Sequence, residues 1–132
     1  MPAEPSDLAL LPLFGALSES ELAEIAAWFE MKEVGVGVRL VGEGVTGNSF
    51  FVICDGEAEV IAQGQEIATL RDGDFFGELA LLEAGRRTAT VTTTAPTRVL
   101  VLFRNDFDRL RAAYPAIAAH LDEAAQRRLK DS

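Results

Sequence analysis

The sequence is poor in the residues that build metal and redox centres. Its 132 residues contain a single cysteine, Cys54, and a single histidine, His120. One cysteine cannot form an internal disulfide, and it cannot supply a cysteine-rich metal site. The lone histidine likewise excludes a multi-histidine metal centre, and with it the metal-dependent enzymes that use one.

Long apolar runs are also missing. The longest apolar stretch, residues 8–17, is interrupted by Pro12 and Gly15 and falls far short of a membrane span. No basic start precedes an apolar core, so no signal peptide is predicted and a cytoplasmic location is expected.

Basic residues are scarce in the first half of the chain. Residues 1–70 hold two bases against twelve acids, whereas residues 71–132 hold ten bases against nine acids. The net charge of −9 argues against direct nucleic-acid binding, since phosphates require a basic surface. The arginines of the second half could still bind a small anion.

Glycines recur through the middle of the chain and separate short runs of β-branched and other apolar residues. Such runs predict strands, and their close spacing favours a sandwich or a barrel. The run 97–103 is apolar on both faces, so we expect it to be buried. The predicted strands are 38–41, 49–54, 57–62, 66–70, 88–94 and 97–103.

A helix is predicted before these strands. Ser18 and Glu21 have the spacing of a capping box, and Leu22 begins an apolar face at helical spacing. These signals predict a helix over residues 18–29. The polar, proline-bearing residues 1–9 are expected to be frayed.

Two helices are predicted after the strands, over residues 105–130. Asn105 is expected to cap the first, and Pro115 fits the first turn of the second. The apolar stripe of the last helix ends near Arg128. No repeat or linker interrupts the chain, so residues 1–132 are predicted to form one domain.

One helix-like stretch interrupts the strands and carries the chemistry. Gly77 permits backbone conformations that other residues resist, and it opens a short apolar helix whose first N–H groups can bind an anion. Arg87 follows, and a guanidinium beside such donors suits a phosphate. Glu78 would repel a phosphate, but a carboxylate accepts a hydrogen bond from a hydroxyl. A ribose phosphate carries both a phosphate and hydroxyl groups, so these residues together suggest a ligand of this kind.

The motif FGELALL at residues 76–82, followed by RTATV at residues 87–91, resembles the phosphate-binding cassette of cyclic nucleotide-binding domains. Such domains occur in regulatory subunits of cAMP-dependent protein kinase, in the catabolite activator protein and in cyclic-nucleotide-gated channels. The resemblance covers about residues 10–130. It implies a mainly β fold, an eight-stranded jelly-roll barrel with one N-terminal and two C-terminal helices.

The resemblance also implies a ligand-binding role for particular residues. Arg87 is expected to pair with the exocyclic phosphate, and Glu78 is expected to accept the ribose 2′-hydroxyl. Arg86 leaves the register open in principle, but residues 88–91 continue the match and favour Arg87 as the phosphate ligand. The expected ligand-binding residues are Phe76, Gly77, Glu78, Leu79, Ala80, Arg87, Thr88, Ala89 and Arg128.

The remaining roles concern the phosphate cradle and the base. Backbone N–H groups near Leu79, Ala80 and Thr88 are expected to complete the cradle. The Thr88 hydroxyl could reach the phosphate or, in a syn purine, the guanine amino group. The resemblance also implies that the final helix closes over the base as a lid. By position Arg128 is the candidate lid residue, with Leu129 second, and an arginine can stack on a purine while its stem packs against apolar groups.

These residues together predict a non-catalytic sensor domain without a cofactor. It is expected to bind cAMP or cGMP, with cAMP preferred on the general usage of the family, and to relay binding by moving its C-terminal helices. An attached effector domain or a partner protein would receive the signal. The alternative is a degenerate domain that binds no nucleotide and docks to proteins, which the intact pair of Glu78 and Arg87 disfavours.

Overall fold

A computed structural model describes residues 1–45, 47–82 and 87–131. The described residues form eight strands and five α-helices, with one short 3₁₀ helix. The strands are β1 Glu30–Val34, β2 Arg39–Val41, β3 Ser49–Asp55, β4 Glu57–Ala62, β5 Gln65–Arg71, β6 Phe75–Phe76, β7 Thr90–Thr93 and β8 Thr97–Phe103. The helices are α1 Pro5–Ala9, α2 Glu19–Ala26, α3 Glu78–Leu82, α4 Arg104–Ala113 and α5 Pro115–Asp131, with the 3₁₀ helix at Pro12–Phe14.

The strands form two antiparallel sheets of four. The first sheet has the order β1-β8-β3-β6, and the second has the order β2-β7-β4-β5. The mainly β fold with eight strands is therefore confirmed. A hydrogen-bonded closure of the two sheets into one barrel is not found among the described residues.

The first sheet separates two hydrophobic cores. Successive side chains of a strand point to opposite faces, and in β3 and β8 both faces are apolar. One core packs this sheet against the helices, and the other lies on the side of the second sheet. The prediction that residues 97–103 are buried on both faces is confirmed for residues 99–102, with Val99, Leu100 and Leu102 fully buried, whereas Phe103 at the end of the strand is 49% exposed.

The N-terminal region differs from the prediction. Residues 1–9 are not frayed, because Leu8 of α1 is fully buried in the helical core and Pro2 bridges to Glu30 of the edge strand β1. Two α-helices, rather than one, precede the strands. The capping box of Ser18 is confirmed, but α2 ends at Ala26, since the chain must turn before β1 begins.

The C-terminal helices are confirmed, with one correction. Pro115 is the first residue of α5, as predicted, but Asn105 does not cap α4. That helix begins at Arg104, with Phe103 at the N-cap position, and the Arg104 N–H, which has no partner within the helix, donates to the Asn48 carbonyl at 3.0 Å. No helix in the described ranges is long and apolar enough to cross a membrane.

Candidate ligand-binding site

A cavity of about 620 Å³ opens between the second sheet, α3 and α5. Its size is typical of sites for small ligands. The cassette and α5 supply one end, and the β4–β5 hairpin supplies the opposite wall. The structure brings all of the predicted ligand-binding residues to this cavity, namely Phe76, Gly77, Glu78, Leu79, Ala80, Arg87, Thr88, Ala89 and Arg128.

Arg87 is held firmly at the cassette end. Its guanidinium donates to the Gly77 carbonyl at 2.9 Å and to the Ser49 carbonyl at 2.7 Å, and the residue is 8% exposed. The Arg87 N–H donates to the Val45 carbonyl, and the Arg87 carbonyl accepts from the Gly44 N–H, so its backbone is bonded to the turn that follows β2. Burial lowers the pKa of the guanidinium from its usual value, partly offset by Glu78. It nevertheless stays a cation at neutral pH, so Arg87 presents a fixed positive charge to the cavity.

Two glycines make room for this arginine. Gly77 has φ +95°, and a Cβ there would lie 2.8 Å from the Ser49 carbonyl oxygen and 2.9 Å from Arg87 Nη1. A Cβ at Gly47 would collide with the guanidinium itself. Glycine is therefore required at these positions by the close approach of Arg87, and at Gly77 also by the positive φ.

Glu78 is a fully buried carboxylate with an unused acceptor. Its Oε1 accepts from Arg128 Nη1 at 2.5 Å, while its Oε2 has no hydrogen-bond partner among the described residues. Burial raises the pKa of this carboxyl, and the charge of Arg128 only partly offsets the rise. A buried acceptor without a partner is costly. Because Glu78 lines the cavity, a ligand hydroxyl would satisfy it.

Arg128 links α5 to the cassette end of the cavity by hydrogen bonds. Besides Glu78, it donates to the Phe75 carbonyl at 2.7 Å, and its guanidinium carbon lies 5.3 Å from the centre of the Phe75 ring. Sequence reasoning located Arg128 at the cavity but missed the ion pair with Glu78, because the two residues are 50 positions apart. Stacking of Arg128 on a purine stays a prediction.

The other predicted residues complete the cassette end. Leu79 and Ala80 lie in the first turn of α3, where backbone N–H groups have no partner within a helix. Thr88 is exposed, and it lies just before β7 rather than within a strand. Phe76 stacks on Phe51 with ring centres 4.8 Å apart and forms part of the wall. Arg86 lies outside the described residues.

Sequence reasoning gave no role to the hairpin wall. Gln63, Gln65 and Ile67 line the cavity from the connection and the second strand of the β4–β5 hairpin. A Gln-Gly pair between two predicted strands is a hairpin signal, but nothing local indicates that the hairpin faces the cassette.

Comparison with known proteins identifies the family. The model of the cyclic nucleotide-binding domain matches residues 31–114, and the chain belongs to this family. The resemblance seen in the cassette is thereby confirmed. Domains of this family are regulatory modules that bind nucleotides, and they are not catalytic.

Individual relatives show which proteins carry similar domains. The chain is 39% identical over 109 residues to a cAMP-dependent protein kinase regulatory subunit of Mycosarcoma maydis, covering 76% of this chain and 21% of that protein. It is 36% identical over 111 residues to cGMP-dependent protein kinase, isozyme 1, of Drosophila melanogaster, covering 78% and 14%. The regulatory domain of Toxoplasma gondii PKA in co-crystals with cAMP superposes with a TM-score of 0.81 at 25% identity, covering 93% of this chain and 48% of that one.

This chain corresponds to a fraction of its relatives. It spans between 21% and 27% of the length of four kinase regulatory subunits that it matches. The likeness therefore concerns the nucleotide-binding domain, and the activities of the whole relatives do not transfer with it.

Proposed function

We propose that this chain is a sensor domain that binds a cyclic purine nucleotide, with cAMP preferred, and relays binding through its C-terminal helices. The observation that carries the proposal is the buried Glu78, whose Oε2 has no hydrogen-bond partner among the described residues and which lines the same cavity as Arg87. An acceptor for a hydroxyl and a cation for a phosphate, in one cavity, match a ribose cyclic phosphate.

The charge balance at the cassette end suits a singly charged phosphate. Arg87 has five N–H donors, and its two described hydrogen bonds leave others for phosphate oxygens. The N–H groups of Leu79 and Ala80 at the start of α3 would add neutral donors. Arg128 compensates the charge of Glu78, so that the carboxylate repels the phosphate less strongly.

Titration calorimetry with cAMP, cGMP and 5′-AMP tests the binding proposal. We expect cAMP and cGMP to bind, cAMP more tightly, and 5′-AMP to bind far more weakly. The cyclic phosphate carries one negative charge, whereas the linear monophosphate carries more near pH 7 and would lie beside Glu78. The protein is first denatured and refolded to remove any co-purified nucleotide. If this nucleotide-free, folded protein binds neither cyclic nucleotide, the function as a docking domain replaces the proposal.

The relay follows from the attachment of α5 to the site. A ligand shifts a conformational equilibrium only through its different affinities for the two states. A hydroxyl at Glu78 would change the environment of the carboxylate that holds Arg128, and hence the position of α5 relative to the cassette. We propose that an adjoining domain or a partner protein reads this change, with the hinge at residues 105–115.

Hydrogen exchange of residues 115–128 tests the relay. We expect saturating cAMP to change the protection of this segment in the wild type, and Arg128→Ala to reduce the change because it removes the hydrogen bonds from α5 to Glu78 and to the Phe75 carbonyl. Arg127→Ala is the matched control, since Arg127 pairs with Glu123 on the same helix. Identical protection with and without cAMP in the wild type would contradict the relay and leave nucleotide binding intact.

A further inference from the structure

The first turn of α4 brings a second arginine close to the cassette end. Arg104 is half-buried, and its guanidinium donates to the Gly47 carbonyl and to the Leu81 carbonyl, each at 3.3 Å. Gly47 lies in the loop before β3, and Leu81 lies in α3. None of the ion pairs found among the described residues includes Arg104. Its charge is therefore directed at carbonyl oxygens of two separate segments.

Arg104 and Arg87 hold opposite ends of α3. The Arg87 guanidinium accepts no proton donor of its own here but donates to the carbonyl of Gly77, the residue that precedes α3. Arg104 donates to the carbonyl of Leu81, one residue before α3 ends. With one guanidinium at each end, the short helix is fixed in its orientation as well as in its position.

The same two arginines also hold the loop that leads into β3. Arg87 donates to the Ser49 carbonyl at 2.7 Å. Arg104 donates to the Asn48 carbonyl through its backbone N–H at 3.0 Å and to the Gly47 carbonyl through its guanidinium. Three consecutive carbonyls thus accept from two arginines. Because a Cβ at Gly47 would collide with the Arg87 guanidinium, the position of this loop decides where that guanidinium can lie.

The place of Arg104 in its own helix does not account for these contacts. The N-terminus of a helix carries a partial positive charge and favours acidic side chains, so a cation in the first turn of α4 is locally unfavourable. The carbonyls of the last turn of a helix have no partner within it and attract a cation. The bond to Leu81 therefore explains why an arginine is tolerated at the start of α4.

The two guanidinium groups also act on each other electrostatically. Burial lowers the pKa of Arg87, and the positive charge of Arg104 lowers it further, while Glu78 acts in the opposite direction. Like charges repel, so Arg87 needs its carbonyl partners to stay in place. An anion bound at Arg87 would relieve this repulsion.

We propose that Arg104 is a positioning residue of the phosphate site, which fixes α3 and the loop at residues 47–49 so that the Arg87 guanidinium stays aimed at the phosphate. Arg104 is not among the described residues that line the cavity, so it acts through Arg87. This proposal rests on the proposed function and adds to it a residue from outside the cassette. The contribution of Arg104 to affinity should therefore depend on the presence of Arg87.

A double-mutant cycle tests this dependence. Arg104→Met keeps most of the apolar stem and removes the charge and the donors. We expect it to weaken cAMP binding by about five- to twentyfold in the wild type, within the range of coupled neighbouring residues. In the Arg87→Ala background we expect the same substitution to weaken binding by less than about twofold, because the group that it positions is gone. Titration calorimetry measures all four affinities.

The control and the contrary outcomes separate this role from simple stabilisation of the fold. Arg109→Met removes a charge from the same helix, where Arg109 lies 4.9 Å from the centre of the Trp28 ring and pairs with Asp106 at 3.8 Å, and it should keep the wild-type affinity within about twofold. If Arg104→Met shows no cooperative unfolding in urea, Arg104→Gln carries the same cycle. Equal losses in the two backgrounds, or no loss in the wild type, overturn the positioning role while nucleotide binding stands. Absence of cAMP binding by the folded, nucleotide-free wild type overturns both.

Discussion

Arg87→Ala is expected to weaken cAMP binding by roughly 30- to 150-fold, which corresponds to about 2–3 kcal/mol for a charge-assisted phosphate contact. The fixed guanidinium is the positive charge that the proposed phosphate site offers, and its two carbonyl contacts keep it oriented toward the cavity. The affinity is measured by titration calorimetry. A denaturant titration confirms that the variant is folded, since the substitution also leaves the carbonyls of Ser49 and Gly77 without their described donor.

Two companion variants make the assignment of Arg87 specific. Arg87→Lys keeps the charge but cannot donate to both carbonyls and to a phosphate in the same fork geometry, so we expect an intermediate loss. Arg86→Ala should have little effect. A change below threefold for Arg87→Ala, together with a large loss for Arg86→Ala, would show that the register of the cassette is shifted by one residue.

Gly77→Ala is expected to lower the free energy of unfolding by about 2–5 kcal/mol, the sum of positive-φ strain and overpacking. The new methyl group would meet the Ser49 carbonyl and the Arg87 guanidinium. Relief of that contact requires Arg87 to move, so the variant should also lose most of its affinity for cAMP. Urea denaturation measures the first effect, and titration of the folded variant measures the second.

Gly64→Ala is the matched control for this substitution. Gly64 has φ +78°, but a Cβ there would meet nothing within 4 Å. This variant therefore carries the backbone strain alone and should lose about 1–2 kcal/mol. Equal losses of stability for the two variants would mean that the space around Gly77 is not limiting, contrary to the packing of Arg87 described above.

The elements with strong local signals were predictable from the sequence. Three such interpretations were correct: the capping box at Ser18, the apolar character of both faces in the run 97–103, and the position of Pro115 in the first turn of a helix. The strand β1 was missed because only Met31 of its five residues is buried, so that no alternation is visible. The strand β6 was missed because it has two residues and depends on pairing with β3. The helix α1 was taken for a frayed start because the contacts that hold it, including the burial of Leu8 and the ion pair of Asp7 with Arg98, involve residues distant in the sequence.

The candidate site likewise has residues that could be predicted from the sequence and residues that could not. The cassette consists of two short stretches close together in the sequence, so the residues expected to bind the ligand could be named, and these line one cavity. The partner of Glu78 could not be named, because Arg128 reaches it only when α5 folds back over α3. The cavity lining at Gln65 could not be predicted either, because the register shift between Val60 and Ile61 in the pairing of β4 with β5 is a property of strand pairing and leaves no pattern in the residues themselves.

The arrangement of two cores around one sheet has a mechanical consequence. Because β3 and β8 are packed on both faces, they form a partition between the helical core and the core on the side of the second sheet. At the rim of this partition lies β6, an edge strand with Phe75 packed toward the helices and Phe76 in the cavity-side core. A strand held by two residue pairs can shift without disturbing the centre of the sheet. In the proposed relay, the adjacent rings of Phe75 and Phe76 would couple the two cores at the edge of the sheet, beside the hydrogen bond from Arg128 to the Phe75 carbonyl, while the partition itself stays in place.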